Sequence, residues 1–264
     1  MNVDTSGLVP EAQRPAREAA EACLKSTGDR CIALVAVGSV VKGGFIPGWS
    51  DIDILLYLTD DAFDDGTLHL PLALTIQRSL ANVEPAPFQF ISCLAVRASD
   101  PRAAPPLVHG AYVSLAGIVP SSEATPEELR AQAREWFAAA GPEPGYVGIG
   151  LLEHGGGRLP LLVRRLCGEV WRALFHALAL TEDPILAWTL PKPAAVEMLP
   201  GETASGRKIR AFYRSLTAYQ PHDRDSLDAA LRVLTDGLAF LRTLKAEAAL
   251  VLAIGVPNQR LREI

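Results

Sequence analysis

The spacing of apolar positions changes character once along the chain, near residue 123. Ahead of that point, short apolar runs alternate with stretches of helical spacing, and behind it helical spacing dominates. Residues 10–25 repeat apolar side chains at helical spacing, and Gly28-Asp29 closes the segment, which predicts a first helix. Residues 31–37 and 54–58 are unbroken apolar runs, the mark of strands buried on both faces. The acidic run 59–66 reads as a solvated loop. Residues 67–81 predict a helix with Pro71 in its first turns, where its missing N–H would be unpaired in any case. Pro85 and Pro87 interrupt the chain. Residues 88–96 then predict a third strand and residues 111–118 a fourth, separated by the Pro/Ala-rich loop 100–106.

From Pro126 the pattern is helical: 127–140, 159–180, a short helix from Lys192, 205–219 and 226–252. The glycine-rich stretch 141–157 reads as a flexible loop between helices. The last helix is strongly apolar, with charges spaced along one side as in a bundle. The expected fold is α+β: an N-terminal mixed sheet with flanking helices over residues 1–122, then a C-terminal helical bundle over 123–264. A ligand cleft is expected between the two.

The candidate chemistry lies between the first two strands, in GSVVKGGFIPGWSDID from Gly38 to Asp53. A Gly-Ser turn after a buried strand points backbone N–H groups outward, a form suited to phosphate oxygens. Asp51 and Asp53 stand two apart on a strand, so their carboxylates project from one face. Two such carboxylates repel unless a cation lies between them, and an all-oxygen set favours magnesium or manganese over zinc. A phosphate cradle facing a divalent metal points to nucleotide chemistry.

The pattern Gly38-Ser39, Gly43-Gly44, Ser50-Asp51-Ile52-Asp53 resembles the signature of the polymerase-beta-like nucleotidyltransferase superfamily, in the form most similar to the aminoglycoside nucleotidyltransferases. The resemblance implies that Gly38 and Ser39 hold a nucleoside triphosphate, with Ser50 beside them; Lys42, inside the turn, reads as a phosphate contact or a surface lysine. It implies that Asp51 and Asp53 bind Mg2+ and align the α-phosphate for in-line attack by a hydroxyl. In the helical half it implies triphosphate contacts from Lys192 and, more loosely spaced, Arg172. The family carries a third carboxylate on the next strand, and here that strand holds no acid. The aligned position is Gln89, whose amide is no useful proton acceptor, and Ser92 is no better. Three explanations stay open. Either a base comes from Glu84, Glu153 or Glu169, or two carboxylates suffice for an easily activated nucleophile, or the protein binds without turnover.

Composition adjusts this picture at the margins. A net charge of -5 over 264 residues argues against nucleic acid as the main partner and suits a cationic acceptor. Cys23, Cys31, Cys93 and Cys167 have no metal-type spacing and read as buried free thiols of a cytoplasmic protein. His69, His109, His154, His176 and His222 have no zinc-ligand spacing either. Trp49 reads as a cap on the core edge or a stacking surface for a ring. No membrane span or signal peptide is legible. The expected activity is magnesium-dependent transfer of NMP, AMP from ATP in the first instance, to a hydroxyl of a small acceptor such as an aminoglycoside, as in antibiotic resistance. The alternatives are a nucleotide-binding regulator without turnover and a protein-modifying nucleotidyltransferase.

Overall fold

The computed structural model describes residues 1–101, 104–139, 144–153, 155, 157–219 and 226–254. The chain divides into two compact units, Met1–Ala124 and Thr125–Ile264. The fold is α+β, with a mixed sheet and helices followed by a helical region.

The first unit opens with α1 (Pro10–Thr27), then β1 (Cys31–Val37), a single helical turn α2 (Ser39–Lys42) and β2 (Ile52–Leu58). A small hairpin of β3 (Phe63–Asp64) and β4 (Thr67–Leu68) leads into α3 (Leu70–Leu80), followed by β5 (Ile91–Arg97) and β6 (Tyr112–Gly117). The main sheet runs β5-β2-β1-β6. β1 pairs antiparallel with β2 and β6, whereas β2 and β5 are parallel.

Strand alternation divides the unit's core. Leu34, Ala36, Ile52, Ile54, Leu56 and Leu58 turn to the side covered by α1 and α3. On α1 that contact is made by Ala12, Ala16, Ala19, Ala20 and Cys23, small side chains that let the helix approach closely. Ala33, Val35, Leu55, Tyr57 and Val96 turn to the other side and pack with Leu107. Each fully buried leucine or isoleucine here contributes about 1.5–3 kcal/mol. Because Ile52 and Ile54 face the helices, Asp53 must face away from them.

The second unit contains α4 (Pro126–Ala139), α5 (Tyr146–Gly150), α6 (Arg158–Thr181), α7 (Pro184–Thr189), α8 (Lys192–Met198), α9 (Ala204–Tyr219) and α10 (Leu227–Ile254). α6 is its centre, packed by α4, α5, α7, α8 and α10. Thr125 and Glu128 form a reciprocal cap at the start of α4: Glu128 N–H donates to the Thr125 hydroxyl at 3.2 Å and Thr125 N–H to the Glu128 carboxylate at 2.8 Å. Asp183 caps α7, its carboxylate accepting Leu186 N–H at 3.0 Å. No helix among the described residues is long and apolar enough to cross a membrane.

The structure departs from the expected elements in four places. The run 59–66 is not all loop: its end forms β3, which pairs with Thr67 and Leu68 and so delays α3 to Leu70. The third strand begins at Ile91 rather than 88, because Phe88 N–H bonds to Pro85 O in a turn. The stretch 141–157 contains α5, and α7 occupies a segment for which the sequence suggested no element. His154, His222 and parts of the glycine-rich stretch lie outside the described residues.

Candidate functional site

The Gly38–Asp53 stretch lies at one end of the main sheet. β1 enters it and β2 leaves it, so Val37 and Asp53 are register partners. Gly38 bends the chain out of β1 at φ 78°, ψ −144°, a conformation that side-chain-bearing residues rarely adopt. A Cβ on Gly38 would stand 3.1 Å from Asp53 Oδ2, so only glycine leaves the space beside that carboxylate open. The turn after Gly38 is one turn of helix, with Val41 and Lys42 N–H groups bonded to Gly38 O at 3.2 and 3.0 Å. That leaves the Ser39 and Val40 N–H groups, at the start of the turn, with no partner within the helix. Val40 O accepts Val9 N–H at 2.9 Å and ties this turn to the start of α1. Ser39 is buried and Lys42 half-buried.

Backbone bonds extend the β2 path upstream of Ile52. Ile52 N–H donates to Phe90 O at 3.0 Å and Gln89 N–H to Ser50 O at 2.8 Å. Asp51 immediately precedes β2 and Asp53 lies on it, with buried Ile52 between them. Both carboxylates are half-buried.

Ser50 and Trp49 are committed to the turn itself. Ser50 Oγ accepts Ile46 N–H at 2.9 Å, and Ser50 N–H donates to Ile46 O at 2.9 Å. Trp49 is only 6% exposed, which places it at the core edge.

The residue abreast of Asp53 on β5 is Ser92. Gln89 stands exposed ahead of the strand, where its backbone joins the Ser50 turn. The candidate bases are engaged elsewhere: Glu84 accepts Ala86 N–H at 3.1 Å, Glu153 lies 3.6 Å from Arg158, and Glu169 lies 3.8 Å from Arg172. Among the described residues no group of three His, Cys, Asp or Glu side chains is arranged around a common metal position. Two carboxylates and an open cradle do suit magnesium, which commonly takes one or two carboxylates and completes its shell with phosphates and water.

On the other side of β1, Tyr112 is the register partner of Val37. Its hydroxyl donates to Glu123 Oε1 at 2.9 Å, and His109 Nδ1 lies 3.1 Å from the same oxygen. These bonds, Tyr112 first, hold the Glu123 carboxyl below its ordinary range. Nothing in the sequence marks this group, since its members meet only through the pairing of Leu107 with Glu123.

The second unit carries the remaining sequence candidates. Arg172 is an exposed residue of α6 and Lys192 opens α8, its Nζ 5.5 Å from the Trp171 ring. His176, one turn beyond Arg172, is buried with its ring stacked on Trp136 at 5.6 Å and edge-on to Trp188 at 5.6 Å. Burial, aided by the Arg172 charge, brings its imidazole down to about 4. Arg165 lies 3.7 Å over the Tyr146 ring, and burial, reinforced by the charge of Glu169, pushes that phenol up to about 12.

Residues 17–85 match the family model of the nucleotidyltransferase domain. The match runs from within α1 past the end of α3, takes in Gly38, Ser39, Asp51 and Asp53, and stops short of β5. No curated protein matches the chain.

Proposed function

We infer that the protein is a magnesium-dependent nucleotidyltransferase that transfers NMP, with ATP as the leading donor, to a hydroxyl of a small acceptor such as an aminoglycoside. The observation that carries this reading is that a Cβ on Gly38 would stand 3.1 Å from Asp53 Oδ2, so that glycine keeps the space beside the carboxylate open, within the stretch that matches the nucleotidyltransferase domain. Nucleotidyltransferase domains generally act on a nucleoside triphosphate with a divalent metal. Asp51 and Asp53 would hold the ion, which when bound supplies charge neutralisation on the triphosphate. Gly38 keeps the backbone close to the phosphates, and the start of α2 offers the Ser39 and Val40 N–H groups and the Ser39 hydroxyl. Lys42 adds a cation to the same turn. The buried Ser50 hydroxyl fixes the loop that delivers Asp51, so its part in nucleotide binding is to position. Lys192 and Arg172 lie in the second unit.

One observation favours a second reading. No carboxylate stands abreast of Asp53 on β5, where Ser92 offers a hydroxyl that accepts a proton poorly. A nucleotide-binding protein with little or no turnover fits that site as well as a transferase does. The experiment that separates them uses [α-32P]ATP and magnesium with a panel of aminoglycosides and other small polyols. Transfer gives a labelled acceptor one AMP heavier and an equal amount of pyrophosphate. Bound ATP with no pyrophosphate under any acceptor contradicts the transferase. Label on protein instead of acceptor would assign a protein-modifying activity.

A further inference from the structure

Three of the four cysteines lie in the first unit, and two of them touch. Cys23 of α1 and Cys93 of β5, seventy residues apart, have their sulfurs 3.9 Å from one another. Cys23 is fully buried among the alanines of α1, while Cys93 is half-buried on an edge strand of the sheet. Cys31 is buried under the same helix but makes no such sulfur contact, and Cys167 is buried in the second unit.

We propose that Cys23 and Cys93 form a redox-responsive pair, closing to an intramolecular disulfide when Cys93 meets a peroxide. The geometry supplies the two parts such a reaction needs. Cys93 is the thiol that a small oxidant can reach, and Cys23 is a resolving thiol already at contact distance. Closing the bond brings the sulfurs about 2 Å nearer than they stand, within the reach of side-chain rotation and a small shift of an edge strand. The shared hydrogen bond divides the roles further: it raises the Cys23 thiol and holds Cys93 below its ordinary value.

The chemistry balances in two steps. The Cys93 sulfur attacks one peroxide oxygen, the O–O bond breaks, and Cys93 becomes a sulfenic acid as one water leaves. The Cys23 sulfur then attacks the Cys93 sulfur, the S–O bond breaks, and the departing hydroxide takes the Cys23 proton as the second water. Two thiols lose two electrons, and one hydrogen peroxide is reduced to two waters. The bond would fasten α1 to β5 one residue beyond Ser92, the residue abreast of Asp53.

The test treats the full-length protein with graded hydrogen peroxide, blocks remaining thiols after unfolding, digests with trypsin without reductant and weighs the peptides. The expected product joins peptide 18–25 to peptide 79–97, two hydrogens lighter than their sum, and thiol reductant removes it. Cys31 and Cys167 should remain alkylatable throughout. Cys23→Ser should abolish the joined peptide and send Cys93 on to sulfinic acid. Cys93→Ser should abolish it and leave Cys23 a thiol. The proposal is overturned if Cys23 and Cys93 stay as alkylatable as Cys31 and Cys167. It is equally overturned if Cys93 over-oxidises in the unsubstituted protein while Cys23 stays a thiol. These readouts need no nucleotide and no activity, so they stand apart from the proposed transferase.

Discussion

Gly38 and Ser92 decide most of what the candidate site can do. At Gly38 the backbone conformation excludes a side chain, and a Cβ would crowd Asp53 Oδ2. Gly38→Ala is expected to cost about 1–3 kcal/mol of folding stability. It should also weaken metal-dependent nucleotide binding beyond that loss, which denaturant titration and calorimetry on one preparation separate. At Ser92 the parallel register puts any substituted carboxylate beside Asp53. Ser92→Asp is therefore expected to tighten Mn2+ binding, read by paramagnetic relaxation of water, whereas Gln89→Glu outside the strand should leave it unchanged. The reverse order would return the third position to Gln89. His176 gives a residue-scale prediction of another kind. Its folded value of about 4 lies below the ordinary imidazole value of 6.5. The unfolded chain thus binds more protons between those values, so stability rises with pH across that window and levels off above it. The contribution is at most about 3 kcal/mol. His176→Phe should flatten that part of the stability–pH curve measured by urea unfolding at pH 5 and 7.5. An unchanged slope would mean that His176 is solvated when folded.

At the scale of elements, the corners are less forgiving than the helix faces. Gly206 sits in the first turn of α9, where its N–H bonds to the Thr203 hydroxyl at 3.0 Å. A Cβ there would stand 1.9 Å from Pro200 O, so Gly206→Ala must displace backbone rather than a side chain. A loss of about 3 kcal/mol or more is expected in thermal or denaturant unfolding, against about 1 kcal/mol for Thr203→Ala, which removes the cap and the hydroxyl's bond to Pro200 O but displaces no backbone. Equal effects would contradict this account of the corner. The elements also show what a sequence can reveal. The strand 31–37 was legible to the residue because it is apolar on both faces. The paired aspartates were legible because their spacing is the strand's own period. β3–β4 and α5 were not, since the first depends on a two-residue pairing across a turn and the second hides among glycines that argue locally for a loop. The start of the third strand, expected at 88, was not legible, because nothing in the residues announces the turn Pro85–Phe88, after which the strand begins at Ile91. The Cys23–Cys93 contact and the Tyr112–Glu123–His109 group arise from pairing across long stretches of chain and leave no local pattern.

At the scale of the whole molecule, the candidate site is confined to one end of the first unit's sheet. The acidic chain carries Asp53, its strand-borne candidate metal ligand, on the sheet face turned away from α1 and α3, and Asp51 just ahead of the same strand. Removing the metal should therefore remove nucleotide affinity without unfolding the protein, whose cores are apolar. The measurement that reaches this claim most directly is calorimetric titration of the full chain with ATP, GTP, CTP and UTP, each with magnesium and with EDTA, repeated on Asp53→Ala. One nucleotide, ATP in the first instance, should bind with magnesium and lose its binding both in EDTA and in the variant. Binding that survives in EDTA or in Asp53→Ala, or no binding of any of the four, would contradict the assignment of a metal–nucleotide site to Gly38, Ser39, Asp51 and Asp53.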